Sequence, residues 1–460
     1  MNRFLGKALL GLVLITGVVS AIELPVRYKV GAFDVTQRKT TDNWVSNIDL
    51  RYSSVSTRDG YDNNSQRTSA LDVFGNTNIV RLGFGLEPFA ATPNIARFWT
   101  HGYDPAAGIL PVPAPVAPFG RLDSGAQNPV KITGRVAAQE LTLNLEQNLF
   151  SGFFAQCYVP FRSLTIDNIG YQVVGSQDLP GLAGTVSNFV EVELPRIMRE
   201  QGMEAPLTVY RKSAVSEVIA GLGWQGFNNK GFGVIQDATG RVFIGAIIPG
   251  GGRRDNAYLT GFPLGYDGFF GVHTRIELEV GIQKCFALGM ASSVNIFFQD
   301  TRTNRVMSDA EKKQAGLLSL ALARVNVDQG PVWDVSAYAK LQRIFYGLTG
   351  FVGYSFSRQE ETKLLVKDDK YLNAAVQRYM QQVPPRFLNM NDVINCDQRL
   401  RSWERQMLHL SIGYDFRLHA KALVLAPAIN FEYAYPIDGR RVMTGKYLGG
   451  TASVQFKMPF

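Results

Sequence analysis

The feature that most constrains this chain is a two-residue alternation of apolar and polar side chains, which its last segment shows well. Between Lys446 and Phe460, apolar Leu448, Val454 and Phe456 stand at even positions, whereas the odd positions carry Tyr, Gly, Thr, Ser, Gln and Lys. Successive side chains of a strand point to opposite faces. The segment is therefore predicted to form a strand with one apolar and one polar face.

The same alternation recurs along the chain from Val136 onward. In residues 270–282, Val, Ile and Leu share one face, and His, Arg and Glu share the other. Short links such as Gln283-Lys284 and Phe345-Tyr346 separate some strands, whereas long insertions separate others. The long insertions are 163–213, 249–268, 301–331 and 360–403. Short turns that alternate with long loops are typical of membrane β-barrels.

An alternating strand that ends on a terminal Phe460 resembles the last strand of bacterial outer-membrane β-barrels, the porin-like proteins of Gram-negative bacteria. The resemblance implies an all-β fold, a transmembrane antiparallel β-barrel with short periplasmic turns and long extracellular loops. It also implies that the barrel assembly machinery recognises Phe460, and that outer-membrane lipid and lipopolysaccharide surround the chain. Such barrels have an even number of strands, here about 12, or about 14 if 24–33 and 78–86 are included.

The N-terminal part is predicted to direct export. Residues 1–21 have the pattern of a signal peptide, because the basic residues Arg3 and Lys7 precede the apolar run 8–19, and Val19-Ser20-Ala21 forms a small-residue cleavage site. The barrel would then comprise residues 22–460 in the bacterial outer membrane. Residues 22–135 include an irregular insert, since 91–129 are rich in proline, which cannot donate to a sheet ladder. This insert is predicted to be a loop or a plug, with a linker between two domains as the alternative.

Composition narrows the class of protein further. A mean hydropathy of -0.03 is too low for a bundle of membrane helices. The net charge of +8 predicts either a cationic lumen or loops that lie on anionic surface sugars. Nucleic acid is not an expected partner, because no basic run or nucleic-acid-binding motif is present. Short helices are predicted in two of the long loops, near 308–321 and 369–383.

If the apolar faces contact lipid, the opposite faces line the lumen. The predicted lumen-lining residues are Asp49, Arg51, Glu140, Glu217, His273, Arg275, Glu277, Glu279, Asp334, Lys340, His409, Asp415, Arg417 and Glu432. Acids and bases are mixed in this set, so the charges either tune ion selectivity or pair across neighbouring strands and hold the wall. Arg253 and Arg254 follow three glycines and are predicted to attract anionic solutes at a pore mouth.

Few residues of this sequence have the types and spacing that catalysis requires. His409-Leu410-Ser411 resembles the His-x-Ser spacing of outer-membrane phospholipase A, but the alternation places both side chains toward the lumen rather than the lipid. The three cysteines are far apart and show no metal-binding or redox spacing. We therefore expect no enzyme activity, no metal and no cofactor.

The predicted function is that of an outer-membrane channel or porin-like protein for passive passage of small hydrophilic solutes. Two alternatives belong to other classes of protein. The first is a surface-exposed barrel whose long loops act as an adhesin or receptor. The second is a barrel-embedded hydrolase.

Overall fold

Twelve long strands form the body of the protein in the computed structural model. The structure describes residues 44–78, 129–174, 189–200, 202–205, 208–228, 231, 233–282, 285–307, 316–317, 319–344, 347–368, 390–416 and 425–457. The twelve strands are β1 (Val45–Thr57), β2 (Pro129–Asn148), β3 (Phe153–Val173), β4 (Glu217–Asn228), β5 (Ile235–Pro249), β6 (Gly271–Ile282), β7 (Phe286–Phe297), β8 (Val332–Ile344), β9 (Leu348–Gln359), β10 (Trp403–Asp415), β11 (Leu425–Arg440) and β12 (Tyr447–Lys457).

Each strand pairs antiparallel with the next one along the chain, and the sheet closes on itself. The closing pair is β1 with β12, in a register that runs from Val45↔Lys457 to Val55↔Tyr447. The chain therefore forms a closed antiparallel β-barrel of twelve strands, as predicted. A closed wall of this kind leaves no edge strand unpaired.

The connections between strands fall into two groups at opposite ends of the barrel. Five links of three to nine residues lie at one end, together with the start of β1 and the end of β12; we call this the turn end. The other end, the loop end, carries the connections 58–128, 174–216, 250–270, 298–331, 360–402 and 441–446. Only the last of these six is short, so the predicted segregation of loop lengths is present in the structure.

The outer surface of the barrel is apolar between two rings of exposed aromatic side chains. The ring near the turn end contains Trp44, Phe150, Phe153, Trp224, Phe227 and Phe416. The ring near the loop end contains Phe161, Phe270, Phe298, Trp333 and Tyr435. Within β3, the step from Phe153 to Phe161 corresponds to roughly 20 Å of barrel height for strands tilted by about 40°. The surface thus has the form of a transmembrane barrel.

Several loop-end segments form small regular elements. One three-stranded sheet contains Asp59–Tyr61, Arg67–Ser69 and Val442–Met443, and another contains Asp300–Val306, Ala321–Asp328 and Lys363–Asp368. The strand Tyr210–Val215 extends β4 beside β3, and Thr77–Asn78 pairs with the start of β2. The helices are α1 (Leu194–Glu200), which follows a π-helical turn Phe189–Glu193, and α2 (Met390–Ile394); 3-10 turns lie at Ala70–Asp72 and Gln398–Leu400.

These loop-end elements pack together over the mouth of the barrel. They share one apolar core, which includes Leu71, Leu194, Phe262, Val325 and Ile394. A Cβ atom on Gly316, in the β7–β8 connection, would lie 2.6 Å from the Cα of Thr77, beside the start of β2. Strands β7 and β8 are opposite β1 and β2 in the ring, so this connection reaches across a mouth roughly 25 Å wide. We call the described parts of 58–76, 189–216, 250–269, 300–328 and 360–402 the cap.

The structure corrects two predictions about the loop end. The insertion predicted at 163–213 begins later, because β3 continues to Val173 in register with β2. The helix predicted near 308–321 is not formed at its described end, where Ala321 starts a strand whose buried positions recur every second residue. Residues 308–315 and 369–383 lie outside the described residues. So do residues 1–43, 79–128 and Phe460, whereas Pro129–Arg135 belong to β2.

Candidate functional site: the barrel interior

The inward faces of the twelve strands form the inner wall of the barrel, and they carry most of the charged side chains of the wall. Eight of the predicted lumen-lining residues are buried there: Asp49, Arg51, Glu140, Glu217, His273, Glu277, Lys340 and Glu432. Five are half-buried: Arg275, Glu279, Asp334, His409 and Asp415. Arg417 lies outside the described residues. The burial of so many charges shows that the interior is narrow and filled with side chains.

One buried arginine connects three neighbouring strands. Arg162 of β3 forms a salt bridge from its Nε to Glu140 of β2, and its Nη1 donates to Glu217 Oε1 of β4 at 2.8 Å. Thr142 donates to Glu140 Oε1 at 2.8 Å, so that carboxylate also has a neutral partner. A buried charge is tolerated when it is paired and hydrogen-bonded. The predicted acids Glu140 and Glu217 thus hold the wall through a base that the sequence reasoning missed.

A second group of polar and charged side chains connects the first strand of the sheet with its last strands. Arg51 of β1 forms a buried salt bridge with Glu432 of β11, whose Oε1 lies 3.3 Å from His409 Nδ1. The other ring nitrogen, Nε2, lies 2.9 Å from Ser355 Oγ of β9. Ser411 does not contribute to this chain, because its Oγ has no hydrogen-bond partner among the described residues. The His409–Ser411 contact that the hydrolase hypothesis requires is therefore not formed.

The Ser355–His409–Glu432 order is also found in nucleophilic triads, yet its surroundings differ from those of an active site. Ser355 is only 2% exposed and lies in the middle of β9. Both neighbouring strands pair with β9 along its length, so the nearby backbone N–H groups are used in the ladders. Acyl transfer needs donors aimed at the developing oxyanion. The arrangement is better suited to neutralising Glu432 than to attacking a substrate.

A third group lies near the turn end on β6 and β8. Arg275 Nη2 donates to Glu277 Oε2 at 3.0 Å, and Tyr338 Oη lies 2.8 Å from Glu279 Oε2 and 3.1 Å from Glu277 Oε1. Lys340 Nζ is 3.9 Å from Glu279. Arg275, Glu277 and Glu279 lie at every second position of β6, so their side chains share one face. The register of β6, β7 and β8 brings Lys340 close to them.

Acids outnumber bases on the described part of the inner wall. Register and burial place ten acids inward, Asp49, Glu140, Glu146, Glu217, Asp237, Glu277, Glu279, Asp334, Asp415 and Glu432, against six bases, Arg51, Arg162, Arg241, Arg275, Lys340 and Arg405. The interior described here is therefore acidic, contrary to the cationic lumen that the net charge suggested.

Large side chains of β3 and β5 fill the interior in front of β4, where Phe154 lies over Gly223. The rings of Phe154 and Phe243 stack with centroids 6.1 Å apart, and the Arg241 guanidinium lies 4.1 Å above the Phe154 ring. Arg241 also forms a buried salt bridge with Glu146. Sequence reasoning missed Arg241, because residues 241–248 are apolar enough to leave their phase ambiguous. The pairing of β5 with β4 and β6 settles that phase.

Small polar side chains line the opposite part of the interior, along β9, β10 and β11. The hydroxyl oxygens of Thr349, Ser357 and Ser411 and the amide oxygen of Asn430 are buried, and none has a hydrogen-bond partner among the described residues. A buried polar group without a partner costs about 1–3 kcal/mol. This side of the interior therefore carries small side chains whose hydrogen-bonding groups are unsatisfied among the described residues, in contrast to the large side chains on the opposite side.

The two arginines predicted at a pore mouth occupy different environments in the cap. Arg253 is exposed and lies 3.7 Å from Asp300. Arg254 is half-buried, and its backbone N–H donates to Asp267 Oδ1 at 2.7 Å. Burial, together with the nearby charge of Arg399, lowers the pKa of Arg254 to about 10. Arg254 therefore still carries its charge at neutral pH.

The described residues contain no group of three or more His, Cys, Asp or Glu side chains that could hold a metal ion. Within the same residues, no helix is both long and apolar enough to cross a membrane. Cys157, Cys285 and Cys396 are free thiols.

Comparisons with known proteins found no matching family model and no matching curated protein. Similar solved structures include an outer membrane channel from Pseudomonas putida F1, at 8% identity and a TM-score of 0.45, over 92% of this chain and 100% of the other. The translocator domain of the autotransporter NalP from Neisseria meningitidis is similar at 9% identity, with a TM-score of 0.34 over 92% and 91%. A FadL homologue from Pseudomonas aeruginosa has 9% identity and a TM-score of 0.27 over 90% of both chains.

Proposed function

We propose that this chain forms a narrow, cation-preferring channel of the bacterial outer membrane for passive passage of small hydrophilic solutes. The observation that carries the proposal is the inverted polarity of the wall: its outer surface is apolar, whereas its inner wall is charged and acidic. A barrel in water would expose its polar face, but a barrel in lipid exposes its apolar face. Residues 1–21 would direct export, and recognition of Phe460 by the assembly machinery remains a prediction.

The orientation in the membrane follows from the lengths of the connections. Bacterial outer-membrane barrels have short turns in the periplasm and longer loops outside the cell. The turn end would then face the periplasm, and the cap would cover the outer mouth. Solutes would pass beside the cap and along the small polar side chains of β9, β10 and β11, where Thr349, Ser411 and Asn430 lie. The large side chains along β3–β5 leave less room there.

Cysteine accessibility tests this route through the barrel. In a background in which the three native cysteines are replaced by alanine, we expect Ser411→Cys to react with a water-borne cationic thiol reagent and thereby lower single-channel conductance. Ile412→Cys is the matched control, because Ile412 is the next residue along the same strand and is 55% exposed on the outer surface. Equal effects of the reagent at both positions would rule out the route.

Ion selectivity tests the acidic inner wall. Asp49 is 3% exposed and accepts hydrogen bonds from the amides of Asn47 and Asn144, so Asp49→Asn removes a charge at nearly constant volume. We expect a smaller cation preference, measured as the reversal potential in a salt gradient, and a larger preference for Arg275→Glu. Asp300→Asn, in the cap, is the control with the same change of charge. An anion-preferring wild-type channel would contradict the proposal.

The second candidate is a surface receptor or adhesin, and the packed cap is the observation that favours it. A core shared by several loops presents a defined outer surface, which a partner protein or cell can recognise. Two results together would support this candidate over the channel. Correctly folded protein would give no conductance in lipid bilayers, and deletion of 361–401 would abolish binding to cells.

A further inference from the structure

A row of charged side chains lies on the outer surface of β1–β4, just beyond the aromatic ring of the loop end. Arg135 Nη2 of β2 forms a salt bridge with Asp167 Oδ2 of β3 at 2.6 Å. Thr57 pairs with Val136, so the exposed Arg58 lies beside Arg135. Arg211 is exposed in the strand that extends β4, where it pairs with Thr165. The charges of Arg58 and Arg211 both act on the Asp167 carboxylate and help to hold its pKa below the ordinary value, after the main effect of Arg135.

An outward-facing groove of about 380 Å³ lies directly below this row of charges. Ser163 and Ser213 line its upper part, with their Oγ atoms 3.0 Å apart. Its lower part is lined by the exposed side chains of Tyr52, Leu141 and Phe161, which belong to the apolar surface of the barrel. From the loop end toward the turn end, the surface therefore passes from guanidinium groups through hydroxyl groups to apolar side chains.

We propose that this surface binds a phosphorylated glycolipid of the outer leaflet, with its phosphate on the arginines, its sugar in the groove and its acyl chains against the apolar residues. The three arginines outnumber the single Asp167 in the row, which leaves a net positive charge for a phosphate. Guanidinium groups bind phosphate with two parallel hydrogen bonds.

The height of the row relative to the membrane supports this ligand. An outward-facing ion pair such as Arg135–Asp167 belongs outside the hydrocarbon region, where charges cost much less. Phe161 lies two positions before Ser163 on the same strand and marks the upper edge of the apolar surface. A lipid anchored beside the barrel presents its phosphate at this level. The inference rests on the proposed outer-membrane location but not on conduction.

Binding of lipid A to the full chain in detergent, followed by native mass spectrometry, tests the proposal. We expect Arg58→Gln/Arg211→Gln to bind bisphosphorylated lipid A at least about tenfold more weakly than the wild type, since two charged contacts are lost. Arg58→Lys/Arg211→Lys should retain part of the binding, because the charge remains. Arg253→Gln/Lys363→Gln removes the same charge from the exposed cap and should bind like the wild type.

Two further measurements make the outcome decisive. Dephosphorylated lipid A should bind the wild type about tenfold more weakly, as expected for recognition of phosphate. Heat-dependent gel mobility of each variant shows that the barrel is folded. Either of two results would overturn the proposal. The first is equal lipid binding by Arg58→Gln/Arg211→Gln and by Arg253→Gln/Lys363→Gln. The second is equal binding of phosphorylated and dephosphorylated lipid A by the wild type. Conductance of the same samples reports separately on the channel.

Discussion

Asp72 illustrates how a single buried carboxylate makes part of the cap sensitive to pH. It is 6% exposed in the 3-10 turn Ala70–Asp72, and Thr68 Oγ1 donates to its Oδ2 at 3.3 Å. Burial raises the pKa of Asp72 from 3.8 to about 6, and the charge of Lys131 offsets only part of this effect. Burial therefore favours the protonated form of Asp72 more strongly in the folded protein than in the unfolded chain.

We predict that the cap segment around Asp72 loses stability as the pH rises. Because the folded-state pKa lies above the ordinary value, the stabilisation is complete below pH 3.8 and is lost as the pH rises through about 6. Partial solvent screening reduces the effect to about 1–2 kcal/mol. Asp72→Asn should make the protection factors of amide hydrogen exchange in residues 67–73, which correct for the intrinsic effect of pH on exchange, nearly independent of pH between 3.8 and about 6. An unchanged pH dependence in that variant would assign the effect to another group.

The depth of a side chain on the outer surface decides what a charge costs there. Phe431 is 63% exposed in the middle of β11, opposite Ile412, whereas Tyr435 is 39% exposed in the outer aromatic ring of the same strand. We predict that Phe431→Arg costs roughly 2–4 kcal/mol and Tyr435→Arg roughly 0–1 kcal/mol. Denaturant unfolding of refolded protein in lipid vesicles measures both. Equal costs would mean that the apolar surface does not face hydrocarbon.

At the scale of strands, the buried salt bridges of the inner wall connect elements that are distant in sequence. Arg162 is the clearest case, because it holds Glu140 on one neighbouring strand and Glu217 on the other. We predict that Arg162→Met destabilises the folded barrel by about 3–5 kcal/mol, since two buried carboxylates lose their counter-ion. The free energy of unfolding in micelles is the measurement.

The triple variant Glu140→Gln/Arg162→Met/Glu217→Gln provides the control for that prediction. It removes all three charges, so much of the lost stability should return, because neutral groups of similar size cost less to bury. Thr142 can still donate to the side-chain oxygen at position 140. If the triple variant is as unstable as Arg162→Met, the loss comes from packing of the arginine side chain rather than from its charge.

At the scale of the whole molecule, the cap covers the loop end of the barrel and, in the proposed channel, would decide how solutes reach the interior. Arg399 connects two parts of the cap, since its Nη2 donates to the Arg305 carbonyl at 3.2 Å while its Nε donates to Asp397 of its own segment. We predict that replacing 361–401 with a short glycine-serine turn opens the outer mouth and raises single-channel conductance. The twelve-stranded sheet itself should stay intact. Unchanged conductance would show that the cap does not limit passage.

Much of the barrel could be predicted from local patterns alone. The alternation of β6, β10 and β12 predicted which side chains face outward, because the two-residue period of a strand is a local property. The same period, together with the lengths of the connections, predicted an even number of about twelve strands. It also placed Glu140, Glu217 and Glu277 on the polar face, but it did not identify their partners.

The sequence by itself determined the polarity of each wall, since alternation depends only on the backbone geometry of a strand. The tertiary structure decided which charges meet: Arg162 pairs with Glu217 across 55 positions, and Arg51 with Glu432 across 381. It also decided that Ala321 begins a strand rather than ending a helix, through pairing with Val306. The physical reason is that register, closure and the packing of the cap depend on contacts between distant segments, and no local pattern of residues records those contacts.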